Sequence, residues 1–141
     1  MRRSLLVIAA TVVVTALASL AYTAVALSTA DAPVGAHGRS SFYLFGTGAA
    51  TLAWLGAIVL TRSVSISFGG GILAGGTAAN LASLALWPSI DGIPNPVVAG
   101  NVAFNASDLA VVVGLVLILA TTSVFAMRNR SRLHERVSSI P

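Results

Sequence analysis

Four long apolar runs restrict the folds that this chain can adopt. A helix that crosses a lipid bilayer needs about 20 mostly apolar residues. Runs of about that length cover residues 5–27, 42–60, 68–87 and 109–127. Only 9% of the 141 residues are charged, whereas a soluble domain usually carries about 25%. The sequence therefore predicts an all-α membrane protein, with four transmembrane helices in a bundle and a single domain over residues 1–141.

The first apolar run begins directly after Arg2 and Arg3, as the apolar segment of a secretory signal peptide would. Such a segment has about 7–15 residues. The run over 5–27 is longer, and three further apolar runs follow it. We interpret it as a first membrane span that is retained.

The basic residues predict how the spans are oriented. All eight are arginine, and seven flank the spans on one side of the predicted bilayer: Arg2, Arg3, Arg62, Arg128, Arg130, Arg132 and Arg136. Cytoplasmic loops are enriched in basic residues, so both termini are expected in the cytoplasm. The basic tail over 128–141 is then expected to lie on anionic lipid headgroups.

The opposite side of the bilayer holds the loops over 28–41 and 88–107, which are predicted to form a small extracytoplasmic cap. The arginines that flank the spans are explained by contact with the lipid bilayer, so the net charge of +4 does not predict a nucleic-acid partner. The chain has no Cys and no Lys, which excludes disulfides, thiolate metal sites and Schiff bases. Its two histidines, His37 and His134, are predicted on opposite sides, so no metal and no cofactor is expected.

The residues best suited to take part in a reaction are two of the four acidic residues, Asp91 and Asp108. An ionised carboxylate beside the hydrocarbon is costly and usually functional. Two carboxylates that share a proton can activate a water molecule. Three prolines stiffen the segment between the third and fourth spans, and it can fold back to bring the two aspartates together. Asn80 is a polar residue at membrane depth and should point into the bundle, and Asn105 is positioned to hydrogen-bond near the pair.

Simpler interpretations fit the same residues. Asn105, Ser107 or Asp108 can cap the fourth helix, and Asp91-Gly92 is an ordinary turn sequence. Asn80 can join two helices by a hydrogen bond. The glycines over 69–76 contain small-xxx-small steps, which are typical of tight helix packing in membranes.

Three motifs in the second half of the chain resemble those of the lipoprotein signal peptidases, also called signal peptidase II. That family has Phe-Asn-x-Ala-Asp before its fourth span, and this chain has Phe104-Asn105-Ala106-Ser107-Asp108. The family also has Gly-Gly-x-x-Gly-Asn in the third span, and residues 75–80 here read Gly-Gly-Thr-Ala-Ala-Asn. A second Asp follows in an apolar context, as Asp91 does. The resemblance is specific over 75–108, and the first half matches only in its predicted architecture.

The chain also departs from the family pattern. The family continues after the asparagine with x-x-Asp-Arg, whereas Leu81-Ala82-Ser83-Leu84 follow Asn80. The family carries an Asp near the end of its first span, and residues 5–27 contain no acidic residue. Its first outer loop has an Asn-x-Gly-Ala-Ala-Phe-like stretch, to which residues 37–42 are only distantly similar. These differences concern substrate positioning more than the two aspartates.

The resemblance implies an aspartic endopeptidase that cleaves the signal peptide of a prolipoprotein before its lipidated cysteine. Asp91 and Asp108 would be catalytic, Asn80 and Asn105 would orient them, and the site would face outward. The alternative is a non-catalytic relative that binds lipidated peptides or a membrane partner. A small transporter or channel subunit is a third possibility, although no inverted repeat is evident.

Overall fold

The computed structural model describes residues 2–29, 35–37, 41–90 and 92–130. Within them lie four helices: α1 (Arg2–Thr29), α2 (Ser41–Thr61), α3 (Val64–Leu86) and α4 (Ala106–Arg128). All four contain a segment long and apolar enough to cross a membrane. The four predicted spans are thus confirmed as helices. Helices α1, α2 and α4 extend past both ends of the apolar runs that predicted them, whereas α3 begins four residues earlier than its run and ends one residue earlier.

Local sequence signals set both ends of α3. Ser63 caps its start, since the Ser63 side chain accepts a hydrogen bond from the backbone N–H of Ile66 at 3.4 Å. The helix ends before Trp87 because Pro88 follows, and proline cannot continue a helix. The third span was predicted to begin at Phe68. The first turn of α3 was missed because Ser65 and Ser67 are polar and interrupt the apolar run.

Glycines bring α3 into close contact with both α1 and α4. On the α1 side, Gly71 lies against Thr11 and Gly75 lies against Thr15, so α1 and α3 run in the same direction. A Cβ at Gly75 would lie 2.8 Å from the backbone oxygen of Val12. The glycine run therefore serves tight packing, as the packing interpretation predicted.

Helix α4 packs against α3 in the antiparallel direction. Gly69 lies beside Gly114 and Ile118, whereas Gly76 lies beside Ser107 and Val111. The four helices thus pass alternately up and down, with α3 at the centre of the bundle. The buried apolar core joins α1, α2 and α4 through Ile8, Ile58 and Ile118.

The two loops that were predicted to form a cap do meet at one end of the bundle. Strand β1 (Gly35–His37) pairs antiparallel with β2 (Ile93–Asn95), so that Gly35 lies opposite Asn95. Strands β3 (Val97–Ala99) and β4 (Val102–Phe104) form a hairpin. Gly100, with φ of 61°, turns the hairpin in the left-handed region that glycine tolerates.

Candidate functional site

Three buried asparagines surround Asp108 at the end of the bundle that carries the strands. Asn80 comes from α3, Asn95 from β2, and Asn105 from the residue before α4. Their side chains are 7%, 1% and 2% exposed, while Asp108 is partly buried. Buried amides need hydrogen-bond partners, and these three find them in one another, in Asp108 and in the backbone.

The first layer of the network is the cap of α4. The backbone N–H of Asp108 donates to the Asn105 side-chain oxygen at 2.9 Å. In return, the backbone N–H of Asn105 donates to the Asp108 carboxylate at 3.3 Å. This reciprocal arrangement is a capping box. The interpretation of Asn105 and Asp108 as helix caps is therefore confirmed.

A second donor to Asp108 comes from a different helix. The Asn80 amide nitrogen donates to the Asp108 Oδ1 at 2.8 Å. This hydrogen bond needs α3 and α4 to pack closely, which depends on Gly76, one turn earlier on α3. A Cβ at Gly76 would lie 2.6 Å from the Ser107 backbone oxygen. The Ser83 hydroxyl, in turn, donates to the Asn80 backbone oxygen at 2.7 Å. Asn80 is thus both an interhelical hydrogen-bonding residue and a direct partner of Asp108.

Asn105 joins the strands to the two helices. Its amide nitrogen donates to Asn80 Oδ1 at 2.9 Å, to the Pro94 carbonyl at 3.1 Å and to Asn95 Oδ1 at 3.1 Å. The sequence predicted roles for Asn80 and Asn105 but gave none to Asn95. Its setting between two prolines suggests an exposed turn, and its burial follows only from the position of β2.

An apolar cavity of about 230 Å³ opens beside the Asp108 carboxylate. Its lining residues come from α2, α3, β2 and α4: Leu44, Thr47, Thr77, Asn80, Leu81, Ile93, Asp108, Val111 and Val112. Asp108 is the only ionisable residue among these described lining residues. A carboxylate held in this way can accept a proton from a water molecule or a hydrogen bond from an amide N–H of a bound peptide.

A second apolar groove, of about 500 Å³, adjoins the cavity and follows α2. The two spaces share Leu44 and Leu81, and the groove continues along Phe45, Gly48, Ala49 and Leu52. An extended or helical apolar segment could therefore lie along α2 with one end near Asp108.

Asp91, the other predicted catalytic residue, lies outside the described residues. Its neighbours are described: Gly92 has φ of 111°, and Ile93 lines the cavity beside Asp108. In the sequence, Asp91 comes two residues before Ile93. The separation of the two carboxylates is left as a prediction.

The chain was compared with protein-family models, with curated proteins and with solved structures, and none of them matched. What the site can do follows from its own residues. The Asn80 side-chain amide and the Asn105 backbone N–H both donate to the partly buried Asp108 carboxylate beside an apolar cavity.

Proposed function

We propose that this protein is a membrane aspartic endopeptidase, similar to signal peptidase II, that removes signal peptides from lipid-modified prolipoproteins. The observation that carries the proposal is the hydrogen bond between Asn80 and Asp108 at the edge of the apolar cavity. Two motifs that lie 28 positions apart in the sequence meet there in one polar cluster. A helix cap alone requires Asn105 and Asp108, but it does not require Asn80.

Asp91 is the second catalytic residue in this proposal. Asp91 comes two residues before Ile93 in the sequence, and Ile93 lines the same cavity as Asp108. The strand β2 that follows is anchored to Asn105 through Pro94 and Asn95.

The reaction is a hydrolysis by general acid–base catalysis. One aspartate is ionised and takes a proton from water as the water oxygen attacks the scissile carbonyl carbon. The other is protonated and donates a hydrogen bond to the carbonyl oxygen. The carbon–nitrogen bond then breaks, and the amine leaves with a proton returned by the pair. The two groups titrate as a unit, so we assign the two roles to the pair.

The apolar groove along α2 supplies the substrate-binding surface. A signal peptide has an apolar segment of about 7–15 residues, and the groove offers an apolar surface that leads to the cavity. The scissile bond would lie at the end of that segment, beside Asp108. The family's Asp-Arg pair after the asparagine is replaced here by Ser83 and Leu84, so this chain positions its substrate by other contacts.

The proposal includes an orientation in a bacterial plasma membrane. Arg2, Arg3, Arg62 and Arg128 lie at the ends of helices opposite the cavity. The positive-inside rule puts that end and both termini in the cytoplasm. The site then lies at the outer boundary, where a prolipoprotein would present its cleavage site. A reporter fused after Pro141 should behave as cytoplasmic, and one inserted in the β3–β4 turn as exported.

The test is conversion of a lipid-modified precursor in membranes of a host that lacks its own signal peptidase II. Wild type should convert the precursor, whereas Asp91→Asn and Asp108→Asn should each abolish conversion. The double variant should be scarcely worse than either single variant, because members of a catalytic unit are strongly non-additive. Asn101→Ala, in the exposed hairpin turn, is the matched control and should retain full activity.

The capping box favours a second function, because it explains Asp108 without catalysis. In that case the protein binds lipidated peptides or a membrane partner and does not cleave them. Absence of conversion by wild type, with several lipoprotein precursors and correct membrane insertion, would favour this second function. Equal cleavage by Asp108→Asn and wild type would show that Asp108 is only a cap.

A further inference from the structure

A groove runs between α3 and α4 at the end of the bundle where α3 begins and α4 ends. Its outer part has a volume of about 430 Å³, and Ser63 and Arg128 are among its lining residues. Its inner part has a volume of about 400 Å³ and extends toward α1. Ser65 and Thr121 line both parts, so the two spaces are continuous. We call them together the α3–α4 groove.

The α3–α4 groove is about as deep as one leaflet of a bilayer. Leu117 lines its inner part and Arg128 its outer part, and these two residues are eleven positions apart on α4. At about 1.5 Å per residue, they are separated by about 16 Å along the helix axis. One leaflet contributes about 15 Å, half of a hydrocarbon core of about 30 Å. The inner part is apolar, with Val7, Val64 and Phe68 beside Leu117, so an acyl chain of that leaflet could lie in it.

Positive charge surrounds the outer end of the groove. Four arginines lie at this end of the helices: Arg2, Arg3, Arg62 and Arg128. Asp108, the only acidic residue within the described ranges, lies at the opposite end of α4, so no described carboxylate neutralises them. Arg62 has φ of 55°, in the left-handed region that glycine adopts at less cost. The chain therefore keeps a cation in a turn where glycine would be less strained, and this charge favours an anionic ligand.

Two hydroxyl groups in the groove can donate hydrogen bonds to a ligand. The Ser63 Oγ accepts from the backbone N–H of Ile66 at 3.4 Å, which leaves the hydroxyl hydrogen to donate. The Thr122 hydroxyl donates to the Ile118 carbonyl one turn earlier. The neighbouring Thr121 hydroxyl makes no such bond within the described part of the chain. A hydroxyl at membrane depth without a partner is costly, so an acceptor supplied by a ligand would stabilise it.

We propose that the α3–α4 groove binds one anionic glycerophospholipid of the adjacent leaflet. The phosphate lies at the outer end, against the Arg128 guanidinium and the Ser63 hydroxyl. An ester carbonyl accepts from the Thr121 hydroxyl, and one acyl chain lies against Phe68 and Leu117. The groove thus presents a cation, then hydroxyls, then apolar side chains, in the order in which the lipid carries phosphate, esters and acyl chain.

This lipid site goes beyond the proposed peptidase function and does not rest on it. The groove lies at the opposite end of the bundle from the cavity beside Asp108. Under the proposed orientation, the adjacent leaflet is the cytoplasmic one, which carries a negative surface potential from its anionic lipids. A bound lipid would hold the start of α3 and the end of α4 together where the two helices leave the hydrocarbon.

The test is a titration of the purified protein with single lipids in a neutral detergent, read by native mass spectrometry. A neutral detergent has no charged surface, so retention of a lipid reports a site and not a general attraction. Phosphatidylglycerol and phosphatidylcholine with the same acyl chains are the two probes. We expect phosphatidylglycerol to bind at least about 5-fold more tightly, because no choline cation offsets its phosphate. Equal affinity for the two lipids would overturn the proposal.

Two arginines of the same segment supply a matched pair of variants. Arg128 lines the groove, whereas Arg130 is exposed and lies outside it. Arg128→Gln should weaken phosphatidylglycerol binding about 10-fold, as expected for the loss of a charge-assisted hydrogen bond. Arg130→Gln should change it by less than about 2-fold. Equal losses in the two variants would show that the lipid responds only to net charge and would overturn the site.

A second pair of variants tests the apolar part of the groove. Thr121→Phe fills the groove where its two parts join, whereas Ser123→Phe adds the same side chain at an exposed position of α4 outside it. Only Thr121→Phe should abolish binding, and thermal unfolding in the same detergent checks that both variants fold. If Thr121→Phe does not fold, the arginine pair still decides. Wild-type binding by a folded Thr121→Phe variant would exclude the groove.

Inorganic phosphate distinguishes a lipid site from a site for a free anion. Added in large excess, it should not displace phosphatidylglycerol from the wild-type protein, because it lacks the acyl chain that occupies the inner part of the groove. Full displacement would show that the arginines bind a free anion and would overturn the assignment to a lipid.

Discussion

The glycines of α3 and those of α2 have opposite surroundings. A Cβ at Gly70, Gly71, Gly75 or Gly76 would meet atoms of a neighbouring helix within 3 Å. A Cβ at Gly46, Gly48 or Gly56 on α2 would meet nothing within 4 Å. More than half of the apolar window of α3 is buried, compared with 6% for α2. The same residue type therefore marks a packed interface in one helix and an open surface in the other.

The packed glycines of α3 belong to the interior of the bundle, whereas the open glycines of α2 belong to an accessible surface. Helix α3 is fixed on both sides by α1 and α4, and it carries Asn80 to the polar cluster. Helix α2 contacts the bundle mainly through one side, around Ile58, and leaves the apolar groove open. Substitutions on α3 should therefore change stability, whereas under the proposed function substitutions on α2 should change substrate binding.

The largest loss of stability is expected from a substitution at Gly76. Gly76→Leu places a side chain where the Ser107 backbone oxygen and Val111 already lie, so α4 must move away from α3. Overpacking costs about 1–3 kcal/mol and occasionally more, and we expect the upper end because the obstacle is backbone. Unfolding in mixed micelles measures the loss. Gly56→Leu on α2 is the matched control, and an equal loss there would contradict the comparison.

A smaller effect is expected at Gly71, where a Cβ would overlap the Thr11 side chain. Gly71→Ala should lower the free energy of unfolding by about 1–2 kcal/mol. Thr11→Ala in the same chain should recover part of that loss, because it removes the overlapping hydroxyl group and keeps only the Thr11 Cβ, which lies 2.8 Å away. A double-mutant cycle measures the coupling. Strict additivity of the two substitutions would show that the α1–α3 contact is looser than described.

The smallest effect on stability is expected at Gly48. Gly48→Ala and Gly48→Leu should each change the free energy of unfolding by less than about 0.5 kcal/mol, as is usual for surface positions. Under the proposed function, Gly48→Leu should nevertheless raise KM for the precursor peptide, because it narrows the groove that leads to the cavity. Wild-type kinetics in Gly48→Leu would exclude the groove as the substrate surface.

The sequence predicted the helices well because their signal is local. A run of about 20 apolar residues identifies a span without any knowledge of its neighbours, and the proline after α3 marks its end. The contact between Asn80 and Asp108 was expected only through the family resemblance. Nothing in the spacing alone brings these two residues together, since Gly76 must first allow α4 to approach α3.

The strands and Asn95 could not be predicted in this way. Pairing of β1 with β2 joins residues about 60 positions apart, and the prolines of that segment argued only against a helix. Register between distant strands depends on tertiary packing, for which three-residue segments carry little signal. Pro94-Asn95-Pro96 is typical of a turn, so the burial of Asn95 became evident only from the fold.

The most direct test of the account is the distance between the Asp91 and Asp108 carboxyl carbons in a lipid bilayer. The chain contains only three aspartates, so an Asp31→Asn variant labelled with ¹³Cγ-aspartate holds a single labelled pair. Solid-state dipolar recoupling then measures one distance. A shared proton or one bridging water predicts a separation of about 4–7 Å. A separation beyond about 10 Å, which a single water cannot bridge, would contradict the proposal that the two aspartates form a catalytic pair.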